Sequence, residues 1–435
     1  MIKRILQHFA ARVLTAGLSF AVVWLTARYL GAAGRGQVSL FFTDVSGLVL
    51  LSGLVGGSSL IYLVPRRNVW HLLRPAYGWA VVVSAAGAAL AGLLRPGAGW
   101  GYAAHLGAVT LIQVLLSINA FLLLGRKLER AYNALTTAQA LLLAGALALA
   151  FGVGQWLNIR AYYWANYLAY GLPWLVSTGL LLRLPDARAR RPSGYARARR
   201  RAAARELARH SRGAHLANLL AFANYRFGYY AVAALAGAGA LGVLSVGVAL
   251  AEAVWLIPRS TALVQYVALV NAADQPGQAH AARRGSRLTL LATAVAAAVL
   301  AAVPAAWLAA FFGPEFGAAH GVILALAPGI LLNGAGMQAS TYFAATGQYR
   351  VNNRAGLLGL AITVPAALLL VPRLGLVGAA LGMSASYAAS TAYLFGCYRR
   401  ATRAAWADVL PGRADVRWLL AKARRDGTNE TSGLQ

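Results

Sequence analysis

The chain has 435 residues, 59% of them hydrophobic and 12% charged, with a mean hydropathy of +0.59. Soluble globular domains carry about 25% charged residues, so this composition excludes one and points to a polytopic helical membrane protein. The net charge of +29 would suggest nucleic acid in a soluble protein. Here the arginines sit in short loops between apolar segments, where positive-inside bias and anionic membrane lipids account for them, so no nucleic-acid partner is expected.

Cys397 is alone, which excludes an intrachain disulfide, and the histidines have no metal-ligand spacing. No GxxxxGK[ST] loop is present, which excludes an ATP-driven pump. No cofactor is expected.

The N-terminal stretch MIKRILQHFAARVLTAGLSF has the basic start of a signal peptide. Its apolar run is too long and a second span follows at once, so it reads as a first transmembrane helix. Twelve spans are predicted, near 10–30, 38–63, 75–94, 104–125, 132–154, 161–183, 213–235, 239–260, 288–311, 319–345, 353–372 and 375–397. Between the sixth and seventh lies LPDARARRPSGYARARRRAAARELARHSR, with ten arginines. A block of like charge this dense does not cross a bilayer.

The predicted organisation is a six-helix bundle over 1–183, a basic cytoplasmic linker over 184–212, a second six-helix bundle over 213–397 and a cytoplasmic tail over 398–435. The linker is expected to be a flexible or partly helical strap on the anionic inner leaflet. The tail contains an amphipathic candidate, ADVRWLLAKARR. Basic loop residues fall on one side: Lys3, Arg4, Arg66, Arg67, Arg74, Arg126, Lys127, Arg130, the linker, Arg283, Arg284, Arg287, Arg350 and Arg354. The opposite loops hold only Arg35, Arg95, Arg160 and Arg373. That asymmetry places both termini in the cytoplasm. Alanine and arginine far outnumber isoleucine and lysine, as in a GC-rich bacterial genome, so the expected location is a bacterial inner membrane.

The halves carry an internal repeat. GAAGRGQVSLFFTDVSGLVLL from Gly31 aligns with GAGALGVLSVGVALAEAVWLI from Gly237, matching Gly31 to Gly237, Ala32 to Ala238, Gly36 to Gly242, Ser39 to Ser245 and Leu50 to Leu256. Repeats of six spans share orientation and relate by an axis along the membrane normal, so the fold expected is all-α, with two bundles around a central cavity.

Ionisable residues inside the spans are few, and each costs about 2.5–3.5 kcal/mol at mid-bilayer. They are Arg12, Arg28, Asp44, Arg226, Glu252 and Arg259, all in the first two spans of each half. Arg226 and Glu252 fall near the middle of adjacent spans. They form either a buried ion pair that satisfies itself, or a site in which Arg226 meets an anionic substrate and Glu252 is its partner or a titratable coupling group. Asn224, Tyr225, Tyr229 and Tyr230 surround Arg226 with groups suited to sugar hydroxyls and rings, or to ordinary packing. Asp44 is expected to pair with Arg12 or Arg28. Arg28 lies close to the outer interface, where it can snorkel, and Arg259, after Pro258, lies near the inner end.

Several stretches, in order, carry a family likeness. ARYLGAAGRGQVSL and GLVGGSSLIYLVPR in the first half, then LGVLSVGVALAEAVWLIPRS, FFGPEFGAAHGVILALAPGILLNGAG, YFAATGQYRVNN and VPRLGLVGAALGMSASY in the second, resemble bacterial polysaccharide-export flippases. These belong to the multidrug/oligosaccharidyl-lipid/polysaccharide exporter superfamily. The resemblance implies two six-helix bundles and a non-enzymatic transporter of undecaprenyl-pyrophosphate-linked oligosaccharides, with other polysaccharide assembly proteins as partners. It also implies a cationic cavity lined by the first helices of each bundle, which holds Arg12, Asp44, Arg226 and Glu252. Charge is sparse here compared with peptidoglycan-precursor flippases of that superfamily. Proton or sodium coupling stays open. So do two alternatives: a drug or cation antiporter, which would favour acidic cavities, and a polysaccharide polymerase or ligase, which usually needs a sizeable outer loop.

Overall fold

The computed structural model describes residues 2–57, 59–65, 68–95, 99–184, 196–271 and 275–402, and no strand occurs among them. The helices are α1 (Ile2–Gly56), α2 (Ser59–Leu63), α3 (Val69–Leu94), α4 (Gly99–Gly125), α5 (Glu129–Gly152), α6 (Ile159–Leu182) and α7 (Ala196–Leu235). They continue with α8 (Gly237–Ala253), α9 (Leu256–Asn271), α10 (Gln275–Ala301), α11 (Ala305–Phe312), α12 (Ala319–Ala345) and α13 (Tyr349–Thr402). A 3₁₀ turn, Pro314–Ala318, precedes α12. Arg66, Arg67 and the amphipathic candidate of the tail lie outside the described residues.

Among the described residues six helices are long and apolar enough to cross a membrane, or eight when each bent pair is one span. α1 and α13 are each two helices joined at a glycine in the left-handed region, Gly31 (φ 67) and Gly375 (φ 55). Glycine, lacking a Cβ, holds that conformation without steric cost. The two legs of α1, then α3 to α7, α8 with α9, α10 with α11, α12, and the two legs of α13 correspond to the twelve predicted spans. α8 and α9 meet at a 42° bend. Pro258 explains its place: it offers no N–H to the Val254 carbonyl four residues back, and its ring crowds that carbonyl. The predicted span 288–311 is bent by 78° where α10 gives way to α11, with Pro304 in the break. Large apolar side chains such as Leu93, Leu94, Trp100, Val153 and Trp156 are exposed, which suits lipid and not water. The protein is a multi-pass membrane protein.

The chain forms two compact units. Unit 1 is Met1–Val246 with Ala309–Phe316, and unit 2 is Gly247–Leu308 with Gly317–Gln435. One apolar cluster of unit 1 gathers Leu60, Leu63, Leu72, Ile118, Leu122 and Leu207. Another gathers Leu25, Phe41, Leu106, Leu147, Phe151 and Tyr162. Leu207 comes from the predicted basic strap, which is helical from Ala196 onward and docks this fully buried leucine on unit 1. Alanine, arginine, glutamate and leucine, which dominate the stretch, are all strong helix formers.

Unit 2 packs α12 against the second leg of α13 through small residues. A Cβ on Gly329 would overlap Ser384, and one on Gly336 would overlap Thr391, seven residues further along both helices. The Gly329 N–H donates to Ser384 Oγ (2.8 Å) and Thr391 Oγ1 to the Leu332 carbonyl (3.2 Å). On the other flank Ser386 donates to the Gly359 carbonyl (2.9 Å) and Ser390 to the Ala355 carbonyl (3.0 Å). Small polar residues of this kind let membrane helices approach closely.

Candidate functional site

The site of unit 1 is built around the repeat. Gly31 and Gly237 both adopt left-handed backbones (φ 67 and 85) and start the second leg of α1 and α8. The two helices then cross reciprocally: a Cβ on Gly36 would overlap the Ala238 carbonyl, and one on Gly242 would overlap the Ala32 carbonyl. The residues matched in the sequence repeat thus occupy matched places in the crossing.

Arg35 breaks that symmetry. Its repeat counterpart is Leu241, fully buried, whereas Arg35 is a guanidinium only 8% exposed. Arg35 Nε donates to Ser245 Oγ (3.1 Å) and Nη1 to Thr26 Oγ1 (3.0 Å). Both hydroxyls pass the chain on, Ser245 to the Gly242 carbonyl (2.8 Å) and Thr26 to the Val22 carbonyl (2.7 Å). Among the described residues no carboxylate pairs with Arg35, so a buried cation is held by hydroxyls alone, a costly arrangement in apolar surroundings. The sequence reading left Arg35 in an outer loop. The Gly31 break corrects this, because it lets the second leg begin at Ala32, ahead of the expected start at 38.

Asp44, two turns further along α1, is held by Arg95 at the C-terminal end of α3. Arg95 Nη1 lies 2.5 Å from Oδ2 and Nη2 3.3 Å from Oδ1. The Tyr102 hydroxyl donates to the same Oδ2, the Tyr230 hydroxyl also bonds Asp44, and Arg95 Nη1 reaches Tyr102 at 3.1 Å. The guanidinium stands 5.8 Å from the Tyr102 ring and 5.9 Å from the Tyr230 ring. Burial opposes the Arg95 charge, but the adjoining carboxylate outweighs it and holds the arginine above its ordinary pKa. A carboxylate accepts about four hydrogen bonds, and these groups supply them. The expected partners of Asp44 were Arg12 and Arg28. Arg28 is exposed, and the side chain of Arg12, within α1, lies outside the described residues. The sequence reading missed Arg95 because it adjoins a loop and counted as a surface charge; its long side chain reaches back along the bundle. Three residues beyond Tyr102 on α4, His105 stacks on Tyr163 (4.5 Å) and shares a hydrogen bond with the Tyr167 hydroxyl (2.9 Å).

α7 brings the next group. Asn224 is buried, Tyr225 and Arg226 are half-buried, and Arg226 lies 4.9 Å from the ring of Tyr229. Arg226 and Tyr230 are four residues apart on one face of the helix, so Arg226 stands one turn from the Asp44 cluster. Each of Asn224, Tyr225, Arg226 and Glu252 has an interaction partner.

In unit 2, Glu252 occupies the last turn of α8 and is half-buried. Trp255, in the bend that follows, is fully buried and donates Nε1 to the Ile330 carbonyl (2.9 Å). Arg259 is exposed, with its guanidinium 5.7 Å from the Trp255 ring. Gln338 Nε2 bonds the Pro258 carbonyl (3.2 Å) and Thr261 Oγ1 (2.8 Å), fixing the bend beyond Glu252.

Glu315 also went unnoticed in the sequence. Its Oε2 accepts from the Ala32 N–H (2.7 Å), capping the second leg of α1, while Trp24 Nε1 donates to the Phe311 carbonyl (3.0 Å). A carboxylate at a helix N-terminus satisfies an orphan donor and complements the macrodipole. The sequence signal was GPEFG, a lone acid between two apolar runs. Among the described residues no group of three His, Cys, Asp or Glu is placed to hold a metal ion.

No family model and no curated protein sequence matches the chain. Solved structures do. The lipid II flippase MurJ, in an inward closed conformation, superposes with a TM-score of 0.66 at 12% identity, covering 91% of this chain and 87% of that one. A multidrug resistance MATE family transporter of the MOP superfamily, inward-facing, gives 0.65 at 15% identity, over 89% and 94%. A MOP superfamily transporter from Pyrococcus furiosus, described as having a binding pocket of reverse polarity, gives 0.57 at 14% identity, over 90% and 93%. The chain has the fold of the MOP superfamily transporters. That agrees with the superfamily to which the sequence motifs pointed, and flippases and drug exporters share it.

Proposed function

We propose that the chain flips a lipid-linked oligosaccharide, undecaprenyl-pyrophosphate-linked, across the bacterial inner membrane by alternating access during export of a cell-surface polysaccharide such as lipopolysaccharide. The domain scheme proposed with it keeps two six-helix bundles, 1–183 and 213–397, joined by the basic linker, with both termini in the cytoplasm. The observation that carries the reading is the sign of the charge inside unit 1. Arg35, Arg95 and Arg226 belong to unit 1 together with Asp44, whose lone pairs are already filled, and Glu315, which is spent on the Ala32 N–H. A cationic interior suits a pyrophosphate, and the reverse-polarity description of the Pyrococcus protein supports pocket polarity as what separates functions on this fold.

In this proposal Arg226, with Arg12, meets the pyrophosphate. Asn224 and Tyr225 meet the glycan, Asp44 holds Arg95 in place, and Arg259 lies at the rim. Glu252 is the titratable group that couples to a proton or sodium gradient. Net movement needs such a gradient, or consumption of substrate on the far side, because binding alone shifts no overall equilibrium. No bond is made or broken, so no enzymatic step is proposed. The second reading is a drug or cation antiporter, which Asp44 and Glu252 favour as the acidic groups such a mechanism needs.

Deleting the gene and identifying by mass spectrometry the lipid-linked sugars on the cytoplasmic face tests both. Accumulation of one such sugar, restored by the wild-type gene and not by Arg226→Ala or Glu252→Gln, is the expected result. Normal export without accumulation, coupled with new sensitivity to cationic drugs, would establish the antiporter reading instead.

A further inference from the structure

Unit 1 carries a groove apart from the charged cluster. It has a volume of about 380 Å³ and is lined by Val69, Trp70, Leu73, Arg74 and Tyr77 of α3, Asn119 of α4, and Thr178, Leu181 and Leu182 of α6. That volume lies in the range of small-ligand sites, about 300–1,000 Å³.

The polar groups of its inner wall are spent on one another. The Asn119 oxygen accepts from the Tyr77 hydroxyl (2.7 Å), and its nitrogen donates to Ser177 (3.0 Å) and Thr178 (2.9 Å). Trp174 Nε1 donates to the Tyr77 hydroxyl (3.3 Å). The wall therefore leaves little unmet hydrogen bonding for a polar ligand, and what fills the groove should be apolar. The groove also continues an exposed apolar stripe on α6 formed by Trp164, Leu168, Leu172 and Leu175, spaced as one helical face.

One lining residue is charged. Arg74 is half-buried, and among the described residues no carboxylate pairs with it. It lies at the end of unit 1 where α3 begins and α4 and α6 finish, the end that also carries Arg126, Lys127 and Arg183. An apolar trough ending in cationic charge, on a lipid-facing surface, complements an anionic amphiphile.

We propose that this groove binds one anionic phospholipid, with its phosphate on Arg74 and an acyl chain laid between α3 and α6 across Tyr77 and Thr178. The chemistry of the groove does not depend on which substrate is moved.

The full-length protein, purified in detergent and stripped of lipid, is titrated with phosphatidylglycerol and with phosphatidylcholine and read by native mass spectrometry. The first phosphatidylglycerol should bind at least about five-fold tighter than phosphatidylcholine, as expected for one basic contact worth about 1 kcal/mol. Arg74→Gln should abolish that preference, Arg74→Lys should keep most of it, and Leu182→Trp, which fills the mouth, should weaken both lipids. Excess inorganic phosphate should displace neither lipid. Displacement would mean a free-anion site and overturn the proposal. Equal affinity for the two lipids in the wild type, or a preference that survives Arg74→Gln, would also overturn it. The wild-type protein supplies a check that needs no variant. A phosphatidylglycerol with a photoreactive acyl chain should label peptides containing residues 69–77 and 178–182, and labelling confined to other helices would refute the placement.

Discussion

The second leg of α1 and the second leg of α13 both follow a left-handed glycine, yet their interiors are built from opposite materials. After Gly31 the helix buries a guanidinium at Arg35 and half-buries a carboxylate at Asp44, with partners drawn from the end of α3 and from α4, α7 and α8. After Gly375 it carries Ser384, Ser386, Ser390 and Thr391, each bonded to a backbone group of a neighbouring helix. A hydroxyl that loses a neighbour can turn to a carbonyl of its own helix, so the second arrangement tolerates change. A buried charge has no such refuge. The difference teaches that the charges unit 1 draws inward at Arg35 and Asp44 are held by groups from several helices.

The comparison can be broken most severely at the crossing. Gly36→Val and Gly242→Val should each place a side chain on a facing carbonyl and abolish the monodisperse folded peak in size-exclusion chromatography. Gly78→Ala, which meets nothing within 4 Å, should leave that peak unchanged. A folded Gly36→Val would mean the reciprocal packing is wrong. Next comes Asp44→Ala, expected to cost about 2–3 kcal/mol by thermal denaturation in detergent, less than a fully buried pair because Arg95 is 30% exposed. The double change Asp44→Asn with Arg95→Gln should recover at least half of that loss.

Ser384→Ala should cost only about 0.6–1 kcal/mol. If it exceeds Asp44→Ala, the contrast between the two legs is inverted. Smallest in stability is Arg35→Leu, which restores the repeat residue found at Leu241. Thr26 and Ser245 keep their carbonyl acceptors, so the folded state should be unchanged or up to about 1 kcal/mol more stable. Export should nevertheless fall sharply. A variant that transports normally would make Arg35 a packing residue.

Much of the architecture could be read without coordinates. Hydropathy and loop charge located twelve spans, and the Gly31 and Gly237 stretches were recognisable as copies before their reciprocal crossing was visible. What escaped was decided by distance in space. Arg35 and Arg95 looked like loop charges because a span predicted by composition has soft ends, and a left-handed glycine moved one boundary by several residues. Tyr102 and Glu315 could not be assigned roles because their partners, Asp44 and the Ala32 amide, lie 58 and 283 residues away. The basic strap was read as flexible or partly helical, and the structure takes the second course. Ten arginines announce repulsion, but alanine spacing and Leu207 supply a helix with something to bury.

That continuity has a practical consequence. α7 has 40 residues, about 60 Å at 1.5 Å per residue, against a hydrocarbon thickness of about 30 Å. Much of the helix that carries Arg226 therefore stands clear of the bilayer. A rod transmits rotation along its length, so a probe attached outside the membrane reads the pose of the arginine within it. A spin label at Arg205→Cys, in a chain with Cys397 replaced, would report any rotation of α7 at Arg226 during the proposed transport cycle without entering the site.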